Sequence, residues 1–121
     1  MADCSFPKQS RLLSAEDFKA VFDNARYKVS NRHFLFLAID NDRSEPRLGL
    51  VVAKKHVAKA VGRNRLKRII RERFRHNKAL LGGLDVVVLV RKDVNNLERS
   101  QVARTLDTLL NDLSAKFKQR S

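Results

Sequence analysis

The sequence predicts an α/β (α+β) two-layer sandwich in which helices pack against one four-stranded sheet. Two observations predict this class: short apolar runs of strand length, and helical segments that each carry one apolar stripe. Along the 121 residues they follow the order α-β-β-β-α-β-α. This is the length of one domain, so residues 1–121 are expected to form a single domain, with residues 1–12 loosely ordered.

The first helix is predicted over residues 15–25. Ser14 is a suitable N-cap residue, and Asp17 stands where a capping box places its acid. Leu13 and Phe18 have the spacing of a hydrophobic staple across that cap. Phe18, Val21, Phe22 and Ala25 form the apolar side of the helix.

Three strand candidates follow. Residues 27–30 form a short one, and the almost continuous apolar run at 34–39 is typical of a central strand. Turn-forming residues fill positions 40–46, and residues 47–53 are predicted to form a third, buried strand. A fourth strand is predicted at 84–90, after a Gly82-Gly83 pair.

The last helix is predicted to begin at a cap formed by Asn95 or Asn96. Its apolar residues recur at spacings of three and four and form one continuous stripe. They are Val102, Leu106, Leu109, Leu110, Leu113 and Phe117.

Residues 54–75 carry ten Lys and Arg against one acid, Glu72. A helix is predicted over residues 58–78, with Leu66, Ile69, Ile70 and Phe74 in one arc and Arg65, Lys67, Arg68, Arg71 and Arg75 beside it. Arg73 falls near the apolar arc, where its stem would let the guanidinium reach outward. Gly62 either ends a turn before the helix or lets a partner approach the backbone.

An ordinary solvated helix face mixes both signs of charge, with opposite charges four residues apart. This helix instead sets like charges four residues apart at Lys67 and Arg71 and again at Arg71 and Arg75. These cations repel one another in the isolated protein, but together they would attract the phosphates of a nucleic acid. The pattern therefore predicts a polyanion as partner. Arg forks suit phosphates and unpaired bases, which favours RNA.

The formal charge of +13 alone permits nucleic acid, an anionic membrane surface or an acidic protein as partner. No apolar run approaches the roughly 20 residues that span a bilayer, and the N-terminus lacks a signal-peptide core, so a cytoplasmic protein is expected. Cys4 is the only cysteine, and the histidines have no metal-site spacing. No carboxylate cluster or nucleophile motif predicts catalysis by the chain itself, so no catalytic and no metal-binding residue is assigned.

The Arg63-Asn64-Arg65 sequence within KKHVAKAVGRNRLKRIIRERFR resembles the RNR motif of the bacterial ribonuclease P protein subunit. The similarity extends to AEDFKAVF, NRHFLFLAI, RLGLVVAKK and VVVLVRK, in the same order. It implies a protein cofactor of a catalytic RNA that removes the 5′ leader of precursor tRNA. The implied partners are that RNA and precursor tRNA, with Mg²⁺ held mainly by the RNA.

The resemblance also implies roles for individual residues. Those expected at the catalytic RNA are Lys54, Lys55, Arg63, Asn64, Arg65, Lys67, Arg68 and Arg71. A cleft between the first helix and the sheet is expected to bind the leader, lined by Phe18 and Phe22 with Arg91 and Lys92 near its rim. Periodicity alone favours core packing for both phenylalanines, whereas the resemblance favours the cleft.

One residue departs from the family's pattern, and the family's topology departs from a general rule. Leu37 stands where relatives can carry a cleft-facing Tyr, so Phe36 is considered as a replacement stacking platform. The resemblance implies a left-handed β-α-β crossover between the third and fourth strands, whereas the general rule predicts a right-handed one.

The sequence also permits other functions. A structural RNA-binding protein, such as a ribosomal protein, would carry a similar basic helix but would have no use for a leader cleft. A DNA-binding helix-turn-helix is disfavoured because no second helix lies close upstream. A stand-alone nuclease is disfavoured because the carboxylate cluster is missing.

Overall fold

A computed structural model describes residues 15–119. The helices are α1 (Ala15–Asn24), α2 (Ala60–His76) and α3 (Arg99–Lys118). The strands are β1 (Tyr27–Ser30), β2 (Phe34–Asp40), β3 (Arg47–Val51) and β4 (Leu84–Val90). The predicted α+β class, element order and four-stranded sheet are confirmed. The Ser14 cap and the Leu13 staple lie outside the described residues, as does the segment 1–12.

The strands are arranged in the order β1-β2-β4-β3. β2 pairs antiparallel with both β1 and β4, whereas β3 runs parallel to β4 with Val51 opposite Leu89. A parallel pair needs a crossover connection, and α2 provides it between β3 and β4. The carboxyl ends of β3 and β4 therefore lie at the same edge of the sheet.

The helices cover both faces of the sheet, which refines the predicted two-layer arrangement. α2 and α3 pack on the face that carries Phe36, Val86 and Val88. α1 packs on the opposite face, where Val21 meets Val87. Successive side chains of a strand point to opposite faces, so adjacent residues of β4 belong to different cores.

Two predicted boundaries shift because of buried side chains. β3 ends at Val51, and the chain turns where the backbone N–H groups of His56 and Val57 both donate to the Ala53 carbonyl. Val57 then enters the core, so α2 begins at Ala60 rather than at residue 58. Gly62 lies inside this helix, so its interpretation as part of a turn before the helix is wrong. A Cβ at this position would stand 3.0 Å from Val57 Cγ1.

The predicted Asn cap of the last helix is also wrong. Asn95 and Asn96 lie in a separate 3-10 turn, Val94–Asn96, and the N-cap residue of α3 is Glu98. Leu97 separates the two in an extended conformation and packs against the core. The backbone N–H of Glu98 donates to Gln101 Oε1 at 2.8 Å, which satisfies one group at the helix start.

Candidate nucleic-acid interface

The apolar arc predicted for α2 is the one that the structure buries. Leu66, Ile69, Ile70 and Phe74 are its buried residues. Beside them, Asn64, Arg65, Arg68 and Arg75 are exposed, and Lys67 and Arg71 are half-buried. A hydrophobic face thus fixes the helix on the core while its cationic face is turned outward.

The cations of α2 divide into two kinds by their partners. Arg73 is held by Asp107 of α3, with Nε to Oδ1 at 2.9 Å and Nη2 to Oδ2 at 3.0 Å. The predicted outward reach of Arg73 is therefore wrong, because its half-buried side chain ends in a bidentate ion pair with α3 rather than in solvent. By contrast, Arg65, Lys67, Arg68 and Arg75 have no hydrogen-bond or ion-pair partner for their side chains among residues 15–119. We call these four residues the cationic face.

Arg63, the first residue of the RNR sequence, has a structural contact that its spacing did not indicate. Its Nη1 donates to the carbonyls of Val57 at 3.1 Å and Ala58 at 2.8 Å. Arg63 therefore ties the start of α2 to the loop that carries Lys54 and Lys55, both of which are exposed. Its contact with RNA stays a prediction.

The first turn of α2 contains no acidic residue, and its N-cap residue, Lys59, makes no side-chain capping bond. A helix N-terminus carries a partial positive charge, so basic residues around it add to the same potential. This arrangement costs stability in isolation and favours an anion nearby. The carboxyl end of the helix has the usual capping contacts, because the C-cap residue Asn77 donates from Nδ2 to the Arg73 carbonyl at 2.8 Å.

An open apolar groove lies on the other face of the sheet, between α1 and the edge strand β3. Phe18 and Phe22 form its helix wall, as predicted, and Phe22 is 43% exposed. The strand wall is formed by Leu50, Val51 and Val52, which the sequence reading did not assign to a site. Only their position in an edge strand beside a short helix could have indicated this. We call this feature the α1 groove.

Basic residues border the α1 groove at the carboxyl end of the sheet. Lys54 follows two residues after Val52, and Lys19 lines the groove and pairs with Asp23 at 2.6 Å. In the parallel register of β3 and β4, Val51 lies opposite Leu89, so the segments that follow the two strands, with Lys54 on one and Arg91 and Lys92 on the other, leave the sheet at the same end. Both are exposed, and Arg91 Nη1 donates to the Asn31 carbonyl at 3.2 Å.

Phe36 does not belong to this groove, and its assignment as a stacking platform is wrong. It is 1% exposed and lies in the core beneath α2 and α3. The alternation of a strand makes this unavoidable, because Leu37 is the residue that faces α1. Leu37 packs there with Val21 and Val87.

The first turn of α1 docks on a polar cluster that the sequence reading missed. Asp85 is 4% exposed and accepts from Arg47 Nε at 2.9 Å and from Asn41 Nδ2 at 2.9 Å. Arg47 also lies 3.7 Å from Asp17 of α1. The hydrogen bond with Asp85 raises the pKa of Arg47 against the opposing effect of burial. The sequence feature that could have indicated this cluster is Asp85, a single acid within an otherwise apolar strand.

Within residues 15–119, no group of three or more His, Cys, Asp and Glu side chains could hold a metal ion. Over the same range, no helix is long and apolar enough to cross a membrane. The fold and its surfaces define a small, strongly basic α+β protein with a cationic helix face and a separate apolar groove.

Comparison with known proteins identifies the family. A family model described as Ribonuclease P matches residues 6–114, and the chain belongs to that family. It is 50% identical over 102 residues to the ribonuclease P protein component of Pseudomonas aeruginosa PAO1, covering 84% of this chain and 76% of that protein. It is 43% identical over 116 residues to that of a Marinomonas species, covering 96% and 88%.

Solved structures agree. A Staphylococcus aureus RNase P protein mutant, described as defective in mRNA degradation activity, superposes with a TM-score of 0.81 at 31% identity and covers 90% of each chain. The RNase P protein from Thermotoga maritima gives 0.73 at 34% identity, covering 87% of this chain and 96% of that one. The resemblance stated from the sequence is therefore confirmed, as is the role of protein component of a tRNA-processing ribonucleoprotein.

Proposed function

We propose that this chain binds the catalytic RNA of ribonuclease P through α2 and the 5′ leader of precursor tRNA in the α1 groove, and so promotes cleavage at the 5′ end of the mature tRNA. The observation that carries the proposal is the separation of two unlike surfaces on opposite faces of one sheet. One is a row of cations on a folded helix that have no side-chain partners among residues 15–119, and the other is an apolar groove with an exposed aromatic ring.

The cationic face suits a large, structured RNA. Its four side chains have no partners among the described residues, so phosphates would neutralise them without breaking an existing ion pair. Neutralising a cation with a phosphate releases counterions, which supplies sequence-independent affinity. On this proposal Asn64, Arg63 and Arg71 contact the same RNA, and Lys54 and Lys55 extend the surface toward the substrate.

The α1 groove suits single-stranded RNA of varied sequence. An aromatic ring stacks on any base, and nearby basic groups follow the backbone. Phe22 offers such a ring, and Lys19, Arg91 and Lys92 supply charge along the groove and at its edge. Leu37 lies beneath α1 and contributes packing rather than a stacking surface.

The chemistry is proposed to belong to the RNA, with Mg²⁺ held mainly by it. Mg²⁺ prefers oxygen ligands and keeps several waters, which suits phosphate-rich sites. The protein would contribute affinity and position for the substrate, and would act in the cytoplasm.

Cleavage of precursor tRNA by a bacterial ribonuclease P RNA at low Mg²⁺ tests the proposal directly. Adding this chain is expected to stimulate cleavage strongly, because the protein replaces part of the charge neutralisation that Mg²⁺ otherwise supplies. No stimulation, with RNA binding intact, would instead favour a structural RNA-binding role such as that of a ribosomal protein. Cleavage by the protein alone would contradict the assignment of chemistry to the RNA.

A further inference from the structure

A second cavity, of about 380 Å³, lies between the amino-terminal half of α2 and the start of α3. It opens on the face of the sheet opposite the α1 groove, because its walls belong to the α2 and α3 core. The floor is apolar and includes four buried side chains, Leu66, Ile69, Val94 and Val102, with the half-buried Leu97 beside them. Its rim is polar and consists of Arg65, Asn95, Glu98 and Arg99. We call it the α2–α3 cavity.

The two arginines of the rim are the informative residues. Arg65 and Arg99 come from different helices, and neither side chain has a hydrogen-bond or ion-pair partner within residues 15–119. Elsewhere between α2 and α3 an arginine is paired with an acid, because Arg73 of α2 and Asp107 of α3 form an ion pair. An acid opposite Arg65 or Arg99 would have stabilised the protein in the same way. The acid of the rim, Glu98, instead accepts from the backbone N–H of Gln101 and pairs with neither arginine, which leaves two guanidinium groups beside an apolar floor.

This combination matches an unpaired nucleotide. Guanidinium groups bind phosphate through paired N–H donors and stack on exposed bases, and the apolar floor can cover a base face. On the rim, the backbone N–H of Gln101 already donates to the Glu98 carboxylate, and Asn95 Nδ2 donates to the His56 carbonyl at 3.2 Å, so the Asn95 amide oxygen is the group that can accept from a base edge. The cavity volume falls at the lower end of the range for ligand sites, which suits one nucleotide rather than a folded element.

The position of the cavity selects the RNA that supplies the nucleotide. Arg65 belongs both to the rim and to the cationic face, so an RNA that follows that face passes the mouth of the cavity. The leader is assigned to the α1 groove on the other side of the sheet. A base within a duplex could not enter, because its faces are stacked and its edges paired.

We infer that the α2–α3 cavity receives one unpaired nucleotide of the catalytic RNA, with its phosphate between Arg65 and Arg99 and its base against the apolar floor. The inference rests on the proposed function, since it specifies how the same RNA is held. It adds Arg99, which lies outside the RNR sequence, as a binding residue.

The test uses the full chain, the intact catalytic RNA and two matched variants. Arg99→Ala removes the rim guanidinium of α3. Arg104→Ala removes the same charge from an exposed position on the same helix, outside the cavity. The measurements are the dissociation constant for the catalytic RNA and the 2′-hydroxyl acylation reactivity of each nucleotide in the complex. Thermal unfolding of both variants checks that the fold is retained.

Arg99→Ala is expected to weaken binding by about tenfold, and Arg104→Ala by about twofold or less. Arg99→Ala should also restore reactivity at one or two unpaired nucleotides that the wild-type protein protects, with protection elsewhere unchanged. Equal effects of the two variants, or a change confined to base-paired regions, would overturn the cavity assignment. Failure of the wild-type protein to bind or protect the RNA would instead overturn the proposed function.

Discussion

On one face of the sheet, α2 and α3 enclose a core to which residues 15–119 contribute 22 buried side chains, among them Phe34, Phe36 and Phe74. On the other face, the ten-residue α1 covers a described core of only Val21 and Val87 and leaves Phe22 43% exposed. A small domain has little apolar surface to spare, so an uncovered aromatic groove is costly unless a partner fills it. We call the side covered by α2 and α3 the thick face and the side covered by α1 the thin face. We infer that the thick face provides stability and the thin face provides a binding surface.

The two faces also hold their charges differently. On the thin face, Asp85 anchors Arg47, and Arg47 in turn approaches α1. The outward side of α2 retains cations without partners over the described structure. Ion pairs are thus used where an element must be positioned, and unpaired charge is retained where an external anion is expected.

The largest expected effect is a difference in the free energy of unfolding between a variant on the thick face and a variant on the thin face. Phe74→Ala, in the thick core and 1% exposed, is expected to lower the free energy of unfolding by about 3–5 kcal/mol. Phe22→Ala on the thin face is expected to cost about 1 kcal/mol or less, because much of that ring already contacts solvent. Urea denaturation of both variants measures the difference. Similar losses would show that the groove side belongs to the stability core.

The second prediction concerns the polar cluster that positions α1. Asp85→Ala leaves the Arg47 guanidinium largely buried without its main partner and is expected to cost about 3 kcal/mol. Asp23→Ala is the matched control, because its pair with Lys19 is exposed and contributes less than about 1 kcal/mol. Chemical denaturation gives both values. An Asp85→Ala loss as small as that of the control would mean that Arg47 is adequately solvated in the variant.

The third prediction concerns binding to the thin face. Phe22→Ala is expected to weaken affinity for precursor tRNA in the holoenzyme by about 1–3 kcal/mol, the range for one base–aromatic stack. Affinity for mature tRNA, which has no leader, should not change. Val61→Ala is the control, since Val61 is 79% exposed and does not line the groove. Equal losses for precursor and mature tRNA would contradict leader binding in the α1 groove.

Sequence reasoning predicted these surfaces unequally, for physical reasons. The buried arc of α2 could be predicted because helical periodicity alone fixes which side chains share a face. Phe36 was misassigned because a continuous apolar strand gives no alternation from which to choose the face. The partners of Arg63 and Arg73 could not be predicted either, since they depend on tertiary contacts between a loop and two helices.

The smallest expected effect is on the cationic face. Arg68→Ala, which removes a cation of this face that does not line the α2–α3 cavity, is expected to weaken affinity for the catalytic RNA about fivefold and to lower the slope of log affinity against log salt by about one, because one phosphate contact is lost. Arg43→Ala removes the same charge from the exposed loop between β2 and β3 and should leave the slope unchanged. Titrations at several salt concentrations measure both. If the two variants shift the slope equally, net charge rather than the arrangement on α2 governs binding, and the division between paired and unpaired arginines loses its functional meaning.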